Sequence, residues 1–464
     1  MRNRCVLHKC HAPLPRGFFF AFIMKKYLSL TGIILAAALT CACGIYLCLT
    51  LHPERPGVTT IRWVVGSTPI RAKTIEYFES LNPDIKVIND VDAGMQRILT
   101  QLAGDVAPDV FTAYDVEALR TFYNYGLLTD LTPYLKQYDI PIDDFFPTLR
   151  DYLFVDGKLV GIPENQSTLC LFYNKTMFDE AGLAYPDHSW TWEDMKEAAR
   201  KLTLYKDAGG RKISVQKGLM VFEDPHFFVW MYGGSVYTKD GRKCIIDSPE
   251  ARKGMREWEE LRMKDRVVPS PSEIMSLDAH GGDGGDRMLF GKNKVAMFIG
   301  GRDYVTYFRE YFKDLEYGIA RLPKCPCKNN ILFSKSYCIP VGSKHKEEAV
   351  RFLVHLTNEA NQNIVSDYGD GVPSIDKPSI IKNFLFNPDY PKETENQNVL
   401  DELAVSRPLE VSPYISLVDF RQISNYEIGN VWLGTQDMDT ACRNIAKRVN
   451  EVIERNIKNP RLKK

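Results

Sequence analysis

From Val58 onward, short β-branched runs alternate with amphipathic stretches, and that alternation narrows the folds open to the chain. Thr60-Ile61-Arg62-Trp63-Val64-Val65 is a β-branched run ended by Gly66, which reads as a first strand. Thr74 to Leu81 has helical spacing and is stopped by Asn82-Pro83. Ile85-Lys86-Val87-Ile88 follows as a second strand, Met95 to Leu102 as a second helix, and Asp109-Val110-Phe111-Thr112, released by Pro108, as a third strand. Strands separated by helices pair in parallel through crossovers, so this region predicts an α/β lobe. A chain of 464 residues is too long for one such lobe and leaves room for roughly two to three domains.

The middle of the chain changes character. Lys158 to Pro163 and Leu169 to Tyr173 read as extended, with a polar stretch between them. Trp190-Thr191-Trp192-Glu193-Asp194 opens a helix, with Thr191 as N-cap and Asp194 at the reciprocal capping position. Met195, Ala198, Ala199 and Leu202 then fall on one face. Further helices are expected over Glu347 to Leu356 and Ala441 to Ile457. No repeat, low-complexity tract or long linker interrupts the chain.

The N-terminus carries targeting information. Lys25 and Lys26 follow Met24, and Tyr27 to Leu51 contains no charge, which is the arrangement of an export signal. Residues 1–23 read as an upstream extension. Thr40-Cys41-Ala42-Cys43-Gly44 resembles a lipoprotein processing site with Cys43 as the lipidation candidate, but lacks the usual leucine three positions earlier. The apolar run continues through Leu49 and approaches the ~20 residues that span a bilayer, which favours an uncleaved anchor over a lipid anchor. Either way, the body is expected outside the cytoplasm and tethered to the membrane, periplasmic or at the cell surface.

Lys+Arg and Asp+Glu both number 59, so bulk charge recommends no nucleic-acid partner and suits a neutral ligand. Five of the eleven cysteines (Cys5, Cys10, Cys41, Cys43, Cys48) lie in the targeting region. Cys325-Pro-Cys327 is not a zinc spacing. A disulfide from one of that pair to Cys338 is open in an oxidising compartment, while Cys170, Cys244 and Cys442 read as small apolar fillers.

Several segments together resemble one family. They are Ala107-Pro108-Asp109-Val110-Phe111, Gly126 to Leu131, Gly161-Ile162-Pro163, Leu171 to Lys175, Phe178 to Leu183, Thr191-Trp192-Glu193, Phe290 to Met297 with Gly300-Gly301, and Ser343 to Ala349. In this order the chain resembles the bacterial extracellular solute-binding proteins of the sugar-binding, maltose-binding-protein-like class, which serve ABC importers. The resemblance implies a two-lobed periplasmic-binding-protein fold of class II, each lobe a β-sheet flanked by helices, with hinge crossings. It implies crossings near Glu164–Thr168, Arg321–Lys324 and Pro373–Ile375. Residues 1–57 are then extension, anchor and linker; 58–164 plus 325–373 make lobe one; 165–324 plus 374–464 make lobe two. The implied protein is a monomer that closes on a carbohydrate, with no cofactor, metal or catalytic residue.

A sugar needs planar polar groups for its hydroxyl edge and aromatic rings for its faces. The family's contacts come from loops at the carboxyl ends of strands, which nominates Ser67 beside Gly66, then Tyr114 and Asp115 after the third strand. A plain turn, or a helix-start acid with a packed tyrosine, would account for these residues equally well. Glu164 and Asn165, with Gln166, form a polar cluster that is either a ligand contact or a solvated loop. Trp230 and Gly233 belong to an aromatic-glycine segment that suits a sugar face or core packing. Gly301, Arg302 and Asp303 offer a fork of donors and an acid, or a structural pair. Tyr368 sits in a return loop with Gly369 and Asp370, and Trp432 is nominated by family analogy alone. The glycine-rich 280–286 segment lacks a calcium loop's alternating oxygen ligands and reads as a loop of lobe two. An exported carbohydrate-active enzyme and the sensing subunit of a membrane receptor are the competing functions. No Gly-x-Ser-x-Gly elbow, His-Glu-x-x-His helix or P-loop appears.

Overall fold

The computed structural model describes residues 57–66, 68–91, 94–104, 106–210, 212–277 and 285–458. The expected signal or anchor with Cys43, the candidate Ser67 and most of the 280–286 segment lie outside them. Among the described residues no helix is long and apolar enough to cross a membrane. The described residues from Ile61 onward form one compact unit, with which the following description is concerned.

Its strands are β1 (Thr59–Val64), β2 (Ile85–Asp90), β3 (Val110–Ala113), β4 (Phe154–Val155), β5 (Lys158–Leu159), β6 (Ile162–Asn174), β7 (Leu204–Asp207), β8 (Lys212–Met220), β9 (Val295–Gly301), β10 (Tyr317–Ala320), β11 (Asn330–Cys338), β12 (Val372–Pro373) and β13 (Ser406–Arg407). β4 and β5 make a small hairpin, and the rest share a sheet whose main order is β2-β1-β3-β11-β6-β9-β8-β7. β1 and β3 run parallel, pairing Trp63 with Val110 and Val64 with Phe111, as the alternating pattern requires. The helix between β1 and β2 spans Pro69–Leu81 and so starts earlier than its periodicity suggests, because proline suits the first helical turn. The capping box read from Thr191 and Asp194 is present in both directions at the start of helix Trp192–Lys201.

The chief departure from the sequence reading is β6. Two extended runs with a polar crossing between them become one 13-residue strand, buried throughout. Its first half pairs antiparallel with β11, from Ile162 opposite Tyr337 to Thr168 opposite Leu332. Its second half pairs with β9 and β10. β6 and β11 therefore tie the β1–β3 region to the β7–β9 region as one continuous sheet. The polar residues that resemble a loop are tolerated inside because each finds a partner. Glu164 pairs with Arg71, the Asn165 amide donates to the Asp370 carbonyl, and Thr148 donates to Gln166 at 3.1 Å.

Alternation along β6 and β9 feeds two cores. Cys170, Phe172 and Phe298 join one with Trp63, Phe111 and Phe352, while Leu169, Leu171 and Met297 join the other with Phe228, Trp230 and Trp258. Helices Pro225–Met231 and Pro249–Glu259 meet in the second core through Gly254, where a Cβ would lie 1.8 Å from the Phe228 carbonyl oxygen. Cys170, Cys338, Cys244 and Cys442 are buried in these cores, and no disulfide joins the six described cysteines. The bond from Cys325 or Cys327 to Cys338 is thus absent: Cys338 is enclosed in β11, and the Cys325 thiol donates to the Cys327 carbonyl.

One buried histidine makes acid stability measurable. His355 packs on Tyr77 and Phe78, and burial pushes its pKa from 6.5 down to about 4. Between those values the unfolded chain binds more protons, so the contribution is complete above roughly pH 6.5 and is lost as pH falls toward 4. Urea midpoints for His355→Phe should decline less over that interval than the parent's. Parallel curves would remove His355 as a cause.

Candidate functional site

Where β6 changes partners, the sheet leaves a cavity of about 260 Å³. Tyr114 reaches it from the end of β3, Asn165, Ser167 and Leu169 from β6, Gly301 from the end of β9, and Phe333, Ser334 and Lys335 from β11. Phe222, Asp303, Tyr304 and Asp370 complete the lining. A bulge between Lys335 and Ser336 shifts the β6–β11 register here, a common device beside binding sites.

Small contacts hold the wall in place. The Gly66 N–H donates to the Tyr114 hydroxyl at 3.0 Å, which leaves a ring that is 43% exposed. The Arg302 N–H donates to the Ser167 hydroxyl at 3.1 Å, joining the end of β9 to the middle of β6. Gly301 has no side chain for a reason: a Cβ would sit 2.3 Å from Asp303 Oδ1 and 3.2 Å from Ser167 Oγ.

The charges are mixed. Lys335 Nζ lies 3.0 Å from Asp370 Oδ2. Burial works against the ammonium, but Asp370 and Glu164 outweigh it and raise its pKa. Burial raises the pKa of Asp303, Arg287 at 3.5 Å opposes this, and Asp370 adds repulsion, leaving a net upward shift. Rings, amide, hydroxyls and two carboxylates thus face one space, which can hold a polyhydroxylated solute by its faces and its edge. No group of three or more His, Cys, Asp or Glu among the described residues could hold a metal ion.

Of the nominated residues, the cavity gathers Tyr114, Asn165, Gly301 and Asp303. The other nominated residues among those described do not line it. Asp115 caps helix Val116–Asn124, accepting from the Ala118 N–H at 2.6 Å. Glu164 is buried and pairs through one oxygen with Arg71, which also donates to the Tyr337 hydroxyl. Arg302 is 1% exposed, and each of its three side-chain nitrogens donates within the protein, to Asn396 Oδ1, the Gly369 carbonyl and Glu393 Oε2, so the guanidinium is enclosed away from the cavity. Trp230 is also 1% exposed, with its indole N–H on Glu410 at 2.9 Å and the Arg407 guanidinium 4.0 Å from its ring. Gly233 makes a left-handed turn beside Cys327. Tyr368 ends helix Glu359–Tyr368 with its carbonyl on Arg309, and Trp432 packs edge-on against Trp258 under Arg262.

Lys335 and Phe333 escape a sequence reading because they lie on β11, a segment to which the sequence pattern assigns no strand. Phe222 follows the end of β8, so the carboxyl-end rule points to it. Trp230, larger and followed by the Gly233-Gly234 pair, draws attention away.

A larger opening of about 670 Å³ lies between helix Val116–Asn124 and the 411–416 segment. Beside it the Leu417 N–H, at the start of helix Leu417–Trp432, donates to Glu117 Oε1 at 2.9 Å.

A sheet carried through two shared strands, with a lined cavity at their junction, defines a small-molecule binding protein of the two-lobed periplasmic type. The chain belongs to the family of bacterial extracellular solute-binding proteins, whose sequence model matches residues 66–363. Among solved structures it is similar to an ABC substrate-binding protein from Listeria monocytogenes in complex with cycloalternan, at 25% identity and a TM-score of 0.74, covering 86% of this chain and 99% of that one. A putative binding protein of Brucella abortus (strain 2308) is 24% identical over 307 residues, 64% of this chain and 71% of the relative. The galactooligosaccharide-binding protein of Bacillus subtilis (strain 168) is 28% identical over 244 residues, 49% of this chain and 53% of the relative. The family is one of binding proteins rather than enzymes, and membership places the body outside the cytoplasm.

Proposed function

We propose that this protein captures a carbohydrate, a monosaccharide or the end of an oligosaccharide, in the junction cavity and delivers it to an ABC importer. The observation that carries this reading is the pairing of Tyr114, Phe222, Tyr304 and Phe333 with Asn165, Asp303, Asp370 and Lys335 around one space. Rings match the C–H faces of a sugar, and planar polar groups match its hydroxyls. The sugars in the names of the relatives support the same class of ligand. Capture is by closure of residues 58–164 plus 325–373 on 165–324 plus 374–464, and the Glu117–Leu417 bond between those two sets is a contact that closure would use. The protein acts as a monomer.

A thermal-shift screen of mono- and oligosaccharides tests this, because a ligand that binds only the folded state raises the melting temperature with concentration. Tyr114→Ala should weaken a sugar found in this way by roughly 1–3 kcal/mol, about five- to 150-fold. Unchanged affinity in a folded variant removes the cavity from the reading, and turnover of the sugar replaces binding with hydrolysis. Membrane tethering rests on Lys25-Lys26 and the apolar run to Leu51. The mass of the mature N-terminus separates an intact anchor from a lipidated Cys43, and a soluble cytoplasmic form would exclude both.

A further inference from the structure

A second cavity, of about 310 Å³, lies where the segment joining β10 to β11 packs on helices Trp192–Lys201 and Pro225–Met231, and it shares no lining residue with the junction cavity. Its walls are apolar at Trp192, Phe227, Met231, Leu322 and Pro323. The segment is pinned rather than loose. Lys324 exchanges backbone hydrogen bonds with Trp190 and Trp192 at 2.8 and 3.0 Å, and the Cys327 N–H donates to the Met231 carbonyl at 3.0 Å. The volume falls at the small end of ligand sites, and the site is preformed.

Its lining gives it a chemistry. Trp192 is buried in the second core and supplies a ring to the wall, while its indole nitrogen is shut off from the cavity. The charge at the rim is also unbalanced. Arg321 already faces Asp401 and Glu402, and Glu402 also accepts from Asn330 at 2.9 Å. Lys324 and Lys328, both exposed, form no salt bridge among the described residues.

We propose that this cavity is a second binding site, independent of the junction, for a small amphiphilic carboxylate. Its apolar ring or chain lies against Trp192 and Phe227, and its carboxylate sits between Lys324 and Lys328.

Ligand-observed NMR titration of the full chain with phenylacetate, and with uncharged phenylacetamide, tests this. Phenylacetate should bind more tightly, and Lys324→Gln/Lys328→Gln should erase the preference, a change of roughly two- to fivefold per lysine. Trp192→Ala removes the ring from the wall and should weaken both probes. Asp303→Asn, in the junction cavity, should leave phenylacetate binding in place. Equal binding of the two probes, or a double-lysine variant that keeps the preference, overturns the proposal. Loss of phenylacetate binding in Asp303→Asn would assign the probe to the junction and also overturn it, while leaving the carbohydrate reading untouched.

Discussion

Arg302→Ala is expected to lower the unfolding free energy by about 3–5 kcal/mol, the usual cost of removing one partner from a buried ion pair. The guanidinium is enclosed, and its donors reach Gly369 from one chain segment and Glu393 and Asn396 from another. Arg309 also holds Glu393 through both carboxylate oxygens, at 2.7 Å each, so the acid is not left alone and the loss should fall toward the lower bound. Urea denaturation should show the midpoint falling while its slope stays constant. A variant as stable as the parent but impaired in ligand binding would return Arg302 to the site and defeat this assignment.

Trp230→Ala should cost about as much, roughly 3–5 kcal/mol, from lost burial and the cavity left behind. The indole fills the second core, and its N–H satisfies one oxygen of Glu410. The other oxygen keeps the Val236 and Tyr237 N–H groups at 2.7 and 3.2 Å, so Glu410 remains partly satisfied without the ring. Trp230→Phe retains most of the apolar volume and should lose only about 1–2 kcal/mol. The two losses should therefore differ clearly in the same denaturation assay. Equal losses would mean that the hydrogen bond, rather than the packing, holds this part of the core.

Both residues look like binding residues in the sequence for the same reason: a large or charged side chain beside glycines. The pattern shows that the backbone comes close to something there, but not whether that is a ligand or another helix. For Arg302 the neighbours are Gly369, Glu393 and Asn396, all more than sixty positions away. For Trp230 the partner is Glu410, 180 positions away. Tyr114, by contrast, was legible as a cavity-lining residue, because the residue after a parallel strand tends to face the cleft whatever surrounds it.

The alternation of β-branched and amphipathic stretches, by itself, determined the α/β class and the parallel pairing of β1 with β3. The Thr191–Asp194 capping box and the family membership were also readable, because caps, periods and motifs are local properties of the chain. Only the tertiary structure decided that Glu164, Asn165 and Gln166 are strand rather than loop. A buried polar side chain is stable only with a partner, and Arg71, the Asp370 backbone and Thr148 come from elsewhere in the chain. It likewise decided that Lys335, Phe333 and Phe222 meet Tyr114 and Asp303, since strands distant in sequence become neighbours only in the folded sheet.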